Sequence, residues 1–505
     1  MDTGLLGGLA NALAPLNIGF ALIGCLLGTL VGVLPGLGPA SAMAILLPIT
    51  TYMSPEGAII IMAGIYYGAM YGGSTTAILM NIPGEVSSVV TAVDGFQMTK
   101  QGRAGQALAI AAIGSFAAGI LGTLAIAVIG PTVADLALRF GPPEYFGLVL
   151  FSLTALISFA GPSLISGLAI GALGMALASI GTDPLTGTQR MTFGSLEMTK
   201  GLDIIPVLIG LFGIGEVLTS LGANVSQIYS GRLGSWLSMI PRGAELTRGL
   251  LASLRGTVIG FVMGLLPGML PALTAYLSYD VEKRISKTPE LFGTGMIEGV
   301  AAPEAANNAT AMAGFIPLLS LGIPTSPALA IMLGTLLING LTPGPMLFAQ
   351  NAAFVWTVIG SMFVANAMLL VLNLPLVGLW ARISLIPYSV LGPIVLAVCA
   401  VGAYAPRNTI FDVWVALIFG VVGYAMRRLS MPIAPLVLGF LLGPLMEQSL
   451  RQSLALSGGD PLLILSRPIT LILCIMAVLV VVGTLIVRRR SSLIERVIEQ
   501  STNET

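Results

Sequence analysis

The side chains that could do chemistry stand inside strongly apolar sequence. Ser74, Thr75 and Thr76 lie in YGGSTTAILMNIPG, residues 71–84, which also carries Asn81. In the second half, PEAANN places Glu304, Asn307 and Asn308 together, and GIPTSP adds Thr325 and Ser326. Hydroxyls and amides at membrane depth can coordinate Na⁺ together with freed backbone carbonyls, or hydrogen-bond an anionic group. A single Ser or Thr is more simply read as a hydrogen bond between neighbouring helices. Glu304 beside Asn307 and Asn308 reads as functional, because an ionisable group in apolar surroundings is costly unless paired or wetted. Glu298 is a second such carboxylate, and for both acids the plainer alternative is a polar cap near the membrane surface.

Positioning these groups requires interrupted helices, and the sequence supplies them twice. GVLPGLGPA, residues 32–40, recurs as GLLPGMLPA, residues 264–272. From Gly28 to Ala40, seven of thirteen positions are identical to those 232 residues on. Pro35, Gly36 and Gly38 mark the first tip, Pro267 and Gly268 the second. Such breaks free backbone groups that lipid cannot satisfy, so they persist only beside protein or a water-filled cavity. Paired breaks in matching halves point to a transporter's binding site. Two unrelated helix kinks are the plainer alternative, and the repetition in register argues against them. At the tips, Gly36, Gly38 and Gly268 would permit close backbone approach and unusual dihedrals. A second correspondence at the same offset sets Ser74–Thr76 opposite Ala306–Asn308. A further pair, Ile82-Pro83 and Ile323-Pro324, needs about nine inserted residues.

Composition fixes the class. Of 505 residues, 56% are hydrophobic and 9% charged, where a soluble domain carries about 25% charged residues. The chain therefore reads as an all-α polytopic membrane protein, with two inverted-topology repeats containing Gly/Pro-broken re-entrant helical hairpins. With no histidine, the commonest general base and metal ligand is missing. Cys25, Cys399 and Cys474 have no metal spacing and form no disulfide framework. Metal sites are expected to be none beyond possible Na⁺ at the polar clusters, cofactors none, and catalytic residues none. No basic face for nucleic acid occurs, and no Walker, HExxH, CxxC or GxSxG pattern. No basic residue precedes Lys100, so the start lacks the n-region of a signal peptide.

The expected organisation is a first membrane half at 1–230 and a basic cytoplasmic linker at 231–255. A second half with additional spans follows at 256–487, then a cytoplasmic tail at 488–505. The apolar segments number roughly a dozen or more at about 20 residues per span. Gly181–Lys200 reads as an exposed loop, and Asp280–Arg284 as a solvated turn. Lys/Arg-rich flanks face the cytoplasm, which places Arg488–Arg490 and both flanks of the second hairpin inside. The first hairpin lacks flanking Lys or Arg, so it is expected to enter from outside.

GVLPGLGPA with its following LLP, YGGSTTAILMNIPGE, GLLPGMLPA, IEGVAAPEAANNA and LLSLGIPTSP together resemble one family. It is the large permease subunit of the tripartite tricarboxylate transporters. The resemblance covers essentially the whole chain and is sharpest over 24–95 and 256–345. It implies a bacterial inner-membrane carrier for tricarboxylates or related organic anions, driven by a Na⁺ or H⁺ gradient rather than ATP. It also implies two partners: a small membrane subunit of about four spans and a periplasmic solute-binding protein. An intramembrane enzyme acting on a lipid-linked substrate, or a passive anion channel, are the competing readings. No nucleophile–base pair supports the enzyme.

Overall fold

The computed structural model describes residues 4–34, 37–159, 163–220, 235–383 and 388–503. Helices carry nearly all of its regular structure. Among the described residues the strand pairing is a two-residue ladder, Gly181–Thr182 against Gln189–Arg190. Among the described residues, seven helices are long and apolar enough to cross a membrane: Pro15–Val33, Ala104–Ala137, Ala244–Gly264, Ala352–Asn373, Ile410–Arg428, Ile433–Leu456 and Pro468–Ile486. Six shorter apolar helices accompany them, and the chain is a multi-pass membrane protein. Its contacts divide it into two compact units, one of Met1–Leu138 with Asp203–Ala425, the other of Arg139–Leu202 with Met426–Thr505.

The first unit is built around two helices that are not among the seven spans, Pro55–Met80 and Glu298–Ala313. Every residue from Gly57 to Met80 and from Gly299 to Ala313 is buried. Ser54 starts the first of them by accepting the Gly57 N–H at 3.2 Å, with Pro55 pre-setting the first turn. Asn81 ends it in the left-handed conformation, φ 57°.

Each buried helix packs along a glycine-faced neighbour. On Pro15–Val33, glycines 24, 28 and 32 meet the backbone of Ile61, Ile65 and Ala69. On Ala244–Gly264, glycines 256, 260 and 264 meet Ala302, Ala306 and Thr310. A Cβ at Gly28 would stand 2.5 Å from the Ile65 carbonyl oxygen, and one at Gly260 2.1 Å from that of Ala306. Small residues in membrane helices permit this backbone-to-backbone approach. The opposite face of the second helix exposes Leu254, Val258 and Val262, an apolar surface suited to lipid.

This packing corrects the expected register between the halves. The glycines are 232 positions apart, but their partners Ile65 and Ala306 are 241 apart. The larger spacing also joins the helix ends. Asn81 and Gly322 are both left-handed, and Ile82 N–H and Ile323 N–H donate back to Thr76 and Pro317 at 3.4 and 3.1 Å. The additional residues fall between the helix Pro271–Ile285 and Glu298. Asn307–Asn308 therefore match Tyr66–Tyr67 in packing position, and Ser74–Thr76 do not match Ala306–Asn308.

Two charged stretches also differ from expectation. Asp280–Arg284 continues the helix Pro271–Ile285 instead of forming a turn. Glu282 there is buried, with its Oε2 accepting from Arg255 at 2.8 Å. The helix Ala244–Gly264 begins inside the stretch expected as linker, so Arg248 and Arg255 are helical.

In the second unit, the helices Pro142–Phe159, Leu164–Ala178, Ile433–Leu456 and Pro468–Asn503 pack together. The segment expected as a plain exposed loop folds over Asp183, which is buried. The Asp183 carboxylate accepts from Leu185 N–H at 2.9 Å, Thr186 Oγ1 at 2.8 Å, Arg451 at 3.0 Å and also Arg190. The backbone N–H of Leu185, then Thr186, Arg451 and Arg190, hold its carboxyl well below the usual range.

Candidate polar site of the first unit

Glu304 is fully buried, and its partners come from far along the chain. Ser74, on the helix Pro55–Met80, donates to Glu304 Oε2 at 2.5 Å. Thr91, on the helix Val89–Lys100, donates to Oε1. One helical turn beyond Glu304, Asn308 Nδ2 reaches Ser115 Oγ at 2.8 Å, Asn307 Oδ1 at 2.7 Å and the Glu304 carbonyl at 3.1 Å. Asn307 Nδ2 donates to Ser87 Oγ at 3.3 Å, and Ser87 in turn donates to Glu85. The result is a continuous buried network built from residues 74–115 and 304–308.

Helical spacing explains why these groups converge. Glu304, Asn307 and Asn308 follow an i, i+3, i+4 pattern, which puts all three on one face. Ser87 and Thr91, four apart, form the facing pair. The polar face turns inward because the opposite one carries Ala302 and Ala306, which admit the close glycine packing described above.

Tyr71 Oη, Ser88 Oγ, Asn308 Oδ1 and Asn373 Oδ1 are buried here without a hydrogen-bond partner among the described residues. Asn373 uses its Nδ2 on Thr29 Oγ1 at 3.3 Å and on the Leu369 carbonyl at 3.0 Å. A cavity of ≈ 10 Å³ lies among Tyr71, Ser74, Thr75, Ser115, Glu304 and Asn373, about the space of one water-sized particle.

Of the residues expected to form a site, Ser74, Thr75, Glu304, Asn307 and Asn308 are thus brought together. Thr76 is buried but spends its hydroxyl on the Gly73 carbonyl at 3.2 Å, within its own helix. Asn81 is an exposed helix end. Thr325 and Ser326 are buried, and Ser326 caps the helix Pro327–Ile338 through Leu329 N–H at 3.4 Å. No hydrogen bond among the described residues joins either of them to Glu304. Pro267 and Gly268 are buried in the second break, where Gly268 has φ +86° and needs its glycine. Gly38 does not: its φ is −76°, and a Cβ there would meet nothing within 4 Å. Pro35 and Gly36 lie outside the described residues.

Sequence reasoning missed Glu85, Ser87, Thr91, Ser115 and Asn373. Thr91 and Ser115 look ordinary in apolar helices, and Asn373 lies nearly 70 positions past Glu304. Glu85 was visible as an acid closing the NIPGE turn. Glu298 is held by Arg248 at 3.3 Å, apart from the network.

Fold and site together define a multi-pass membrane protein with a hydrogen-bonded polar centre enclosed by apolar helices. The chain matches the tripartite tricarboxylate transporter TctA family over residues 18–438 and belongs to it. It is 44% identical over 464 residues to an uncharacterized 52.8 kDa protein in the TAR-I ttuC' 3' region of Agrobacterium vitis, covering 92% of each chain. A second Agrobacterium vitis protein, uncharacterized and from the TAR-II ttuC' 3' region, is 45% identical over 197 residues. That match covers 39% of this chain and 81% of the relative. No solved structure matches.

Proposed function

We propose that this chain is the permease of an ion-gradient-driven, binding-protein-dependent uptake system for tricarboxylates or related organic anions, working by alternating access. The observation that carries the reading is the shared network, in which Glu304 is held by Ser74 and Thr91 from more than 200 positions away. A centre built from two distant segments can be opened toward either side by moving one against the other.

The substrate carboxylates would meet the helix starts after the breaks. Neither Pro39–Leu46 nor Pro271–Ile285 has a side-chain cap, so their first-turn N–H groups and positive dipole ends suit an anion. The two hairpins are proposed to be re-entrant and of opposite entry, the first from the periplasm and the second from the cytoplasm. The C-terminus is then cytoplasmic, in a bacterial inner membrane. A small membrane subunit of about four spans and a periplasmic binding protein complete the system.

The test is uptake of labelled citrate and related acids by vesicles with all three components, and with each omitted. Saturable uptake, counterflow and dependence on an ion gradient are expected. Flux that neither saturates nor shows counterflow would favour a channel.

A further inference from the structure

We infer that the cavity bounded by Glu304, Ser74, Thr75, Ser115, Tyr71 and Asn373 is a binding site for one dehydrated monovalent cation, with Na⁺ as the fitting ion. Its role as the coupling ion rests on the transport reading above; the binding itself does not.

Three observations converge on this assignment. The first is charge. Glu304 is completely buried and makes no ion pair among the described residues, receiving only neutral hydroxyl donors. A carboxylate at membrane depth calls for a compensating positive charge, and a water molecule in the cavity would bring none.

The second is the unpartnered groups in its wall. Tyr71 and Asn373 line the cavity, Tyr71 Oη and Asn373 Oδ1 have no hydrogen-bond partner among the described residues, and both residues are at least nine-tenths buried. The amide nitrogen of Asn373 is already engaged, so its oxygen is left as an acceptor. A proton on Glu304 would serve a single acceptor. A cation serves several oxygens at once, with Ser115 and Thr75 hydroxyls available beside them.

The third is size and donor type. A space of ≈ 10 Å³ is about that of one water-sized particle, which suits one bare ion. All the donors are oxygens, which selects a hard cation. A single carboxylate is a poor match for Ca²⁺, with its 6–8 oxygen ligands, or for Mg²⁺, which keeps several waters.

The test is ²²Na⁺ equilibrium binding to the purified full-length chain in lipid nanodiscs, with choline chloride holding ionic strength constant. Saturable binding of one Na⁺ per chain is expected. Tyr71→Phe removes an oxygen that makes no hydrogen bond, so it should fold normally and weaken binding by about tenfold, as loss of a supporting group at a metal site does. Glu304→Gln should abolish binding. No saturable Na⁺ binding to the wild type, or binding unchanged in both variants, would overturn the assignment. So would proton uptake at Glu304 without any Na⁺ dependence. Retained Na⁺ binding by a chain that fails to transport carboxylates would leave this site standing and reject the transport reading alone.

Discussion

Ser74 and Glu304, 230 positions apart in the chain, meet at 2.5 Å inside the first unit. The contact joins two helices buried along nearly their whole length, so each residue fixes the other's environment. Ser74→Ala removes one donor from a carboxylate that has no ion-pair partner. The expected cost is about 1–3 kcal/mol, seen as a lower apparent melting temperature in detergent, together with reduced uptake. Ser74→Thr, which keeps the hydroxyl, should retain more of both.

Glycine packing gives a second prediction. Gly260→Ala places a Cβ 2.1 Å from the Ala306 carbonyl oxygen, and Gly28→Ala one 2.5 Å from that of Ile65. The obstruction is backbone and cannot rotate away, so both variants should lose about 1–3 kcal/mol or more. Gly38→Ala is the control within the first break. With φ −76° and no atom within 4 Å of the added carbon, its melting temperature should be unchanged. A fall in its uptake would then report substrate contact at that tip and not misfolding.

Asp94 is a buried clamp. Its carboxylate accepts from Tyr279 Oη at 2.8 Å, Gly293 N–H at 2.9 Å, Gly295 N–H at 2.8 Å and Met296 N–H at 2.8 Å. These bonds tie the helix Val89–Lys100 to the segment leading into Glu298–Ala313. Asp94→Asn leaves one acceptor oxygen for four donors and should cost on the order of 3 kcal/mol. Limited proteolysis should then cut near residues 286–297 sooner than in the wild type. Tyr279→Phe, losing one bond of four, should show a smaller effect.

The second unit carries the pH dependence. Asp183 has its carboxyl lowered by Leu185 N–H, Thr186, Arg451 and Arg190. A lowered folded-state value means the stabilisation is fully present above the ordinary carboxylate range near 4 and fades as pH falls below it. Asp183→Asn should therefore lower the melting temperature at pH 7, and the gap from wild type should narrow toward pH 3. A constant gap would show that the substitution acts through packing.

The legible parts of the fold were those with a local signature. Pro15–Val33 and Pro55–Met80 follow from apolar runs bounded by Ser-Pro and Pro-Gly signals, and Glu304 stands out against its apolar neighbours. The partners of Glu304 were not legible in the same way. Thr91 and Ser115 become polar contacts only once distant helices meet, and the four donors to Asp94 are equally remote in the chain. The register error has a similar origin. Identity at the first break pointed to 232 and the Ile82-Pro83 and Ile323-Pro324 pair to 241, and the glycine contacts place the second helices at 241. Gly38 was assigned a dihedral need from its position beside proline, yet its backbone is ordinary extended chain.

The most direct measurement of the central claim compares wild type with Asn308→Ala in vesicles containing the partner subunits, at matched membrane amounts. Asn308 bridges Ser115, Asn307 and the Glu304 backbone, so gradient-driven uptake of labelled carboxylate should fall by at least about tenfold, the scale of a lost polar contact at a built site. Uptake at the wild-type rate would contradict the account.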